Sequence, residues 1–263
     1  MDLGLKNRTA IVAAASKGLG LAVAEEFAKE GANVAICSRN GEELKKAAAK
    51  VKEASGREAM SQAFDLRNYE EVQKFVQAVT QKFGTVDICV ANAGGPPSKK
   101  FLEVSIEEWR TAVDTNLMTT VYLAREVLPL MQKGKWGRFI TITSMGIKQP
   151  VNNLVLSNSV RAAVVGLART LANEFGADGI TVNNVGPGYT RTARLEELAA
   201  KQQQAKGISL EQVFEQMAAE VPAKRIGTPR EFAALVTFLA SERASYINGT
   251  TIVVDGGWVK SLL

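Results

Sequence analysis

The stretch Thr9-Ala10-Ile11-Val12-Ala13-Ala14-Ala15-Ser16-Lys17-Gly18-Leu19-Gly20 constrains the fold more than any other part of this chain. A β-forming run, Thr9 to Val12, enters a turn of small residues and leaves as a helix with Leu19, Val23 and Phe27 four apart on one face. Gly31 is placed to end that helix, because glycine takes positive φ without penalty. Strand, tight turn and helix N-terminus in succession make an anion cradle. The first backbone N–H groups lack a helical partner, and the positive end of the helix dipole faces outward. Gly18 and Gly20 lack the Cβ that would keep a pyrophosphate from the backbone. A plain strand-to-helix turn uses the same residues, so the remainder of the chain decides between them.

The 263 residues suffice for a single α/β domain spanning 1–263 with a sizeable core. A hydrophobic content of 46% and a charged content of 22% are ordinary for a soluble globular protein. No apolar run is long enough for a bilayer, since Ile11–Ala15 is soon cut by Lys17 and Gly18. Met1-Asp2-Leu3-Gly4-Leu5-Lys6 lacks the apolar core of a signal peptide, so a cytoplasmic protein without membrane contact is expected. The net charge of +5 is spread over lysines interleaved with glutamates, as in Glu42-Glu43-Leu44-Lys45-Lys46. That pattern describes solvated helix faces and argues against nucleic acid as a partner. Cys37 and Cys89 each sit in an apolar strand and read as buried thiols. With no histidine in the chain, the usual general base and the usual neutral metal ligand are both missing, and no metal is expected.

Strand and helix signals alternate from end to end. Strands are expected at Thr9–Val12, Asn33–Cys37, Glu58–Phe64, Val86–Val90, Phe139–Thr143, Ile180–Val185 and Thr251–Val254. Helices are expected from Gly41 to Ser55, after the Asn68 cap with Glu71, after the Ser105/Glu108 capping box and through Asn116, from Asn152 to Phe175, and after Thr228-Pro229. Seven strands with helical crossovers predict a doubly wound, Rossmann-like parallel sheet, with ligands at the carboxyl ends of the strands. Residues 192–221 break the alternation. Their Gln- and Ala-rich helical composition predicts an insertion over the sheet edge, a helical lid on the substrate side.

The residue after the second strand of such a sheet selects the dinucleotide, because an Asp or Glu there binds the ribose 2′-OH of NAD. Here the position reads Ser38-Arg39-Asn40, with no carboxylate. Arg39 can hold a 2′-phosphate with its planar fork, and Lys17 adds a second positive charge, so NADP(H) is expected over NAD(H).

Further residues carry a family resemblance over essentially the whole chain. Ala15-Ser16-Lys17-Gly18-Leu19-Gly20, Asp65-Leu66, Asn92-Ala93-Gly94, Asn116, Ile142-Thr143-Ser144, Pro187-Gly188 and Asp255-Gly256-Gly257, in this order and spacing, resemble the short-chain dehydrogenase/reductase family. Within it the chain looks most like the 3-oxoacyl-acyl-carrier-protein reductases and related NADPH ketoreductases. The family's first turn glycine is Ala14 here, a methyl group that would shift the turn slightly. The resemblance implies that Asp65 and Leu66 meet the adenine and that Asn92-Ala93-Gly94 closes the cofactor's other side. It also implies that Ser144 binds the substrate carbonyl, that Asn116 holds the helix backbone and an ordered water, and that Pro187-Gly188 with Thr192 engages the nicotinamide carboxamide. A homotetramer or homodimer built on the helices carrying Asn116 and Ser157 to Arg161 is implied as well.

One departure bears on the chemistry. The family's acid is a tyrosine in a Tyr-x-x-x-Lys pair thirteen residues after the serine, and counting from Ser144 lands on Ser157 and then Arg161. The following Ala162-Ala163-Val164-Val165-Gly166-Leu167 keeps the family's helix register, so the count is not displaced. A serine alkoxide is much harder to form than a phenolate, and a guanidinium keeps the charge but does not deprotonate. Tyr189, directly after Pro187-Gly188, is the one tyrosine expected near the nicotinamide, as an acid or as a pocket aromatic. Water relayed through Ser144 and Ser157 is a further route. Two functions remain open. One is an NADPH-dependent reductase of a 3-oxoacyl or related ketone with an atypical proton donor, or a variant whose substrate supplies its own proton. The other is a catalytically weak or inactive NADP-binding subunit or sensor. Gly95-Pro96-Pro97, Met145, Tyr189 and the lid are expected to line the substrate pocket.

Overall fold

A computed structural model describes residues 1–262. Seven strands form one parallel sheet in the order β3-β2-β1-β4-β5-β6-β7. They are β1 (Thr9–Ala13), β2 (Asn33–Ser38), β3 (Met60–Ala63), β4 (Ile88–Ala91), β5 (Gly137–Ile142), β6 (Ile180–Pro187) and β7 (Thr251–Val254). The central register pairs Ile11 with Ala35 on one side and with Cys89 on the other. Strand order reverses between β1 and β4, which opens a crevice at the carboxyl ends of these two strands.

Alternate residues of each central strand serve opposite faces, which is why these strands read as unbroken apolar runs. Ala10, Val12, Ile88 and Val90 join one core with α1 (Gly18–Lys29), α2 (Gly41–Ser55) and α9 (Pro229–Leu239). Ile11, Ala13, Cys89 and Ala91 join the other with α3 (Tyr69–Phe83), α5 (Thr119–Gly134) and the lower half of α6 (Val155–Phe175). Phe27 anchors the first core and Phe75 with Phe139 the second, all with no exposed area. The caps agree with the sequence. Asn40 and Asn68 accept from the N–H groups of Glu43 and Glu71, and Gly56 and Gly84 end α2 and α3 in the left-handed region.

The ends of β1, β2, β4, β5 and β6 shift by one or two residues from the sequence reading, and three further differences have a local physical reason. β3 is confined to Met60–Ala63 because it pairs only with β2, at the sheet edge, and half of it faces solvent. α6 starts at Val155 rather than Asn152, since Asn153 takes a positive φ of 59° that a helix does not accept. Asn116 is not in a continuous helix: α4 (Ile106–Ala112) passes through a π-helical turn, Val113–Met118, before α5. The residues between β6 and α9 form α7 (Ala193–Lys206) and α8 (Leu210–Glu220), which share a small core of Leu195, Ala199, Val213, Phe214 and Met217. No helix among the described residues is long and apolar enough to cross a membrane.

Candidate active site

The crevice is one continuous cleft of about 1220 Å³, running from the β2–β3 ends, past α1, to α6 and α7. At its centre the β1–α1 turn is held from below by Asn92, whose Nδ2 donates to the carbonyls of Ala13 (3.2 Å) and Ala14 (3.3 Å). Ala14 takes a left-handed φ of 48°, so its methyl group is carried in a conformation that favours glycine. Gly20 is required by crowding: a Cβ there would lie 2.8 Å from the Ala14 carbonyl oxygen and 2.9 Å from Asn92 Nδ2. α1 begins at Gly18 without a side-chain cap, which leaves first-turn N–H donors directed at the cleft. Gly94 has nothing within 4 Å of where a Cβ would stand, and Ala14, Ser16, Lys17, Gly18, Leu19, Ala93 and Gly94 all line the opening. Free donors, an open cradle and a long cleft fit a dinucleotide.

Ser38, Arg39, Asp65 and Leu66 line the β2–β3 end of the same cleft. Asp65 is clamped by Arg67 (Nη2 to Oδ2, 2.6 Å), and that guanidinium holds its carboxyl below the usual range. Arg39 forms no ion pair among the described residues, whereas Lys17 lies 3.7 Å from Glu43. The cation pair expected from sequence is therefore present, with one member partly neutralised. Neither Glu43 nor Arg67 was read from the sequence as a neighbour of this end, because each reaches it from the first turn of a helix or the loop before one.

Ser144, Ser157, Arg161, Pro187, Gly188, Tyr189 and Thr192 line the other end of the cleft. Ser144 follows β5 and accepts from the Gly146 N–H at 3.1 Å. Ser157 is buried, and its hydroxyl makes no hydrogen bond among the described residues. One helical turn on, Arg161 is 7% exposed, and its Nη1 donates to the Ile142 carbonyl at 2.9 Å and its Nη2 to the Ala93 carbonyl at 3.5 Å. Burial, with the charge of Arg194 added, pulls its pKa down to about 10. Asn116 is buried in the π-helical turn, a feature that recurs at functional sites. Its Nδ2 donates to the Ala112 carbonyl, its own carbonyl accepts from Thr120, and its Oδ1 is buried without a partner.

Tyr189 lines the cleft, but its hydroxyl is committed elsewhere: it donates to Glu220 at the end of α8 (3.3 Å), and its ring meets Trp258 edge-on. Burial, then the Glu220 carboxylate, pushes the phenol up to about 12. Gly95, Pro96 and Met145 join the lining as expected, whereas Pro97 does not. Arg194 was missed. It stands two residues after Thr192 and donates through Nη2 to the Pro96 carbonyl. A cation in the first turn of a surface helix carries no sequence signal for that reach. No cluster of His, Cys, Asp and Glu suited to a metal is present among the described residues.

Comparison with known proteins agrees with this architecture. The profile of the family described as Enoyl-(Acyl carrier protein) reductase matches residues 13–259. A 3-oxoacyl-[acyl-carrier-protein] reductase of Vibrio cholerae is 34% identical over 259 residues, covering 97% of this chain and 98% of the relative. A D-beta-hydroxybutyrate dehydrogenase of Rhizobium meliloti is 31% identical, covering 95% of this chain and 98% of the relative. The crystal structure of L-sorbose reductase from Gluconobacter frateurii, complexed with NADPH and L-sorbose, superposes with a TM-score of 0.95 at 35% identity and full coverage of both chains. The chain belongs to the short-chain dehydrogenase/reductase family.

Proposed function

We propose that the protein is an NADPH-dependent reductase that converts a carbonyl group, of a 3-oxoacyl compound or related ketone, to an alcohol. The observation that carries the reading is the single cleft joining the Arg39 end to Ser144, Ser157 and Arg161. The α1 N–H groups would hold the pyrophosphate, and Arg39 with Lys17 a 2′-phosphate. Asp65 and Leu66 would flank the adenine, with Asn92-Ala93-Gly94, Pro187-Gly188 and Thr192 around the nicotinamide half. Relatives and solved neighbours whose names include NADPH and 3-oxoacyl reduction support this. When bound, the dinucleotide supplies a hydride to the carbonyl carbon.

The chain's own part is to hold the carbonyl and deliver one proton to the resulting alkoxide. Ser144 Oγ would donate to the carbonyl oxygen. Ser157 Oγ, unpartnered and lining the same cleft, would pass its proton to the alkoxide and recover one from water. Arg161 keeps a fixed positive charge beside the developing anion, stabilising it without titrating. α7 and α8, with their separate small core, would serve as the lid. The exposed Ala162, Ala163 and Gly166 of α6 would serve as part of a dimer or tetramer interface.

A second reading, an NADP-binding protein without turnover, is favoured by Ser157 and Arg161, which stand where the resemblance implies a tyrosine and a lysine. Single-turnover oxidation of bound NADPH by ketones and 3-oxoacyl thioesters separates the two. Wild type should react. Reaction only after Ser157→Tyr with Arg161→Lys would establish a disabled acid and the second reading.

A further inference from the structure

We propose that the substrate of this cleft carries a carboxylate in addition to its carbonyl, seated between Arg161 and Arg194; the proposal rests on the reductase reading above. Both residues line the cleft and reach the same segment after β4: Arg161, in α6, donates to the Ala93 carbonyl and Arg194, in the first turn of α7, to the Pro96 carbonyl. Arg194 lies against the segment after β4, so close that a Cβ on Gly95 would sit 2.9 Å from its Nε. The charge of Arg194 reaches Arg161 and lowers its pKa.

Two like charges around one cleft, one of them 93% buried by its 7% exposure, are costly unless an anion joins them. The chain does not supply that anion. Only three carboxylates line the cleft among the described residues: Glu43, Asp65 and Glu103. Glu43 faces Lys17, Asp65 is clamped by Arg67, and Glu103 accepts from the Lys100 N–H. Glu197, the ion-pair partner of Arg194, is 62% exposed and is not part of the lining. Arg161 meets only neutral carbonyls, so its remaining donors are unspent. Lys201 also lines the cleft, without an ion pair among the described residues. A guanidinium fork matches a carboxylate in two parallel hydrogen bonds, which favours that group over a neutral ketone.

The cofactor's phosphates are a second source of negative charge, and the experiment separates the two. Calorimetry on the NADP⁺-loaded protein compares 2-oxo-4-phenylbutanoate and 3-oxo-octanoate with their methyl esters. The acids should bind about tenfold or more tightly than the esters, and Arg194→Gln should abolish that advantage while leaving NADP⁺ affinity within about threefold. Esters equal to acids, absence of acid binding at millimolar concentration, or an advantage that survives Arg194→Gln would each overturn the proposal. So would a loss of NADP⁺ affinity of about tenfold in Arg194→Gln, which would assign that guanidinium to the cofactor. Selective acid binding without NADPH oxidation would leave the carboxylate site standing and overturn only the reductase reading.

Discussion

The Arg161 guanidinium donates to the carbonyl of Ile142, the last residue of β5, and so ties the middle of α6 to the strand end that precedes Ser144. This bond ties together the two segments that carry the serines, and the buried charge beside it has no carboxylate partner among the described residues. Replacing that charge by an apolar side chain of similar length removes a hydrogen bond but also a desolvation cost. Arg161→Met is expected to unfold in urea within about 2 kcal/mol of wild type. Its single-turnover rate with NADPH should fall by about tenfold or more, as expected when a charge near a developing oxyanion is lost. An unchanged rate in stopped flow would reduce Arg161 to a structural tie.

Tyr189 provides the complementary case. Its hydroxyl is engaged by Glu220, and its pKa near 12 makes it a poorer acid than an ordinary phenol. Tyr189→Phe should therefore keep turnover within about threefold, because a lost hydrogen bond of this kind is worth about 1 kcal/mol or less. The change should appear instead in faster proteolysis of the α7–α8 segment. A loss of turnover of about a thousandfold would make Tyr189 the acid.

Much of this was legible in the sequence because it depends on local rules. The runs at Asn33–Cys37 and Thr251–Val254, the Asn40 and Asn68 caps and the stop at Gly56 are each set by a few adjacent residues, and they fall where expected. The π-helical turn around Asn116 was not legible, since one extra residue in a helix leaves the apolar pattern nearly intact. Nor was the engagement of Arg194 with Pro96, or of Tyr189 with Glu220, because those partners are brought together by the packing of α7 and α8 rather than by spacing.

Gly20, buried behind the β1–α1 turn, and Gly94, on the cleft, are glycines for opposite physical reasons. A methyl at Gly20 would strike the Ala14 carbonyl at 2.8 Å, whereas one at Gly94 would enter open space. Gly20→Ala should lose about 1–3 kcal/mol of stability, an overpacking cost, and weaken NADPH binding with it. Gly94→Ala should melt within about 0.5 kcal/mol of wild type yet bind NADPH about tenfold more weakly, if that space is filled by the cofactor. Fluorescence titration and urea melts read both. Unaltered affinity in Gly94→Ala would exclude that segment from the dinucleotide site.

Cys37 in β2 and Cys89 in β4 lie on the two strands that flank β1, with no exposed area, and burial raises both thiols, Cys37 to about 12. A thiol in the unfolded chain releases its proton near pH 8.5, roughly, while the folded protein still holds it. Above that pH the native state binds more protons than the unfolded state, so stability falls as pH rises, by about 1.4 kcal/mol per pH unit for each thiol. The loss from Cys37 continues until its folded value near 12 is reached. Urea melts from pH 8 to 10, values set roughly around the free-thiol pKa, should show this decline in wild type. They should show a shallower one in Cys37→Ala, whose starting stability is lower. Neither thiol should react with a disulfide reagent in the native protein at neutral pH, and both should react on unfolding. Rapid labelling of the native state, or a pH slope unchanged in Cys37→Ala, would mean that the sheet opens locally around β2 far below the global unfolding free energy.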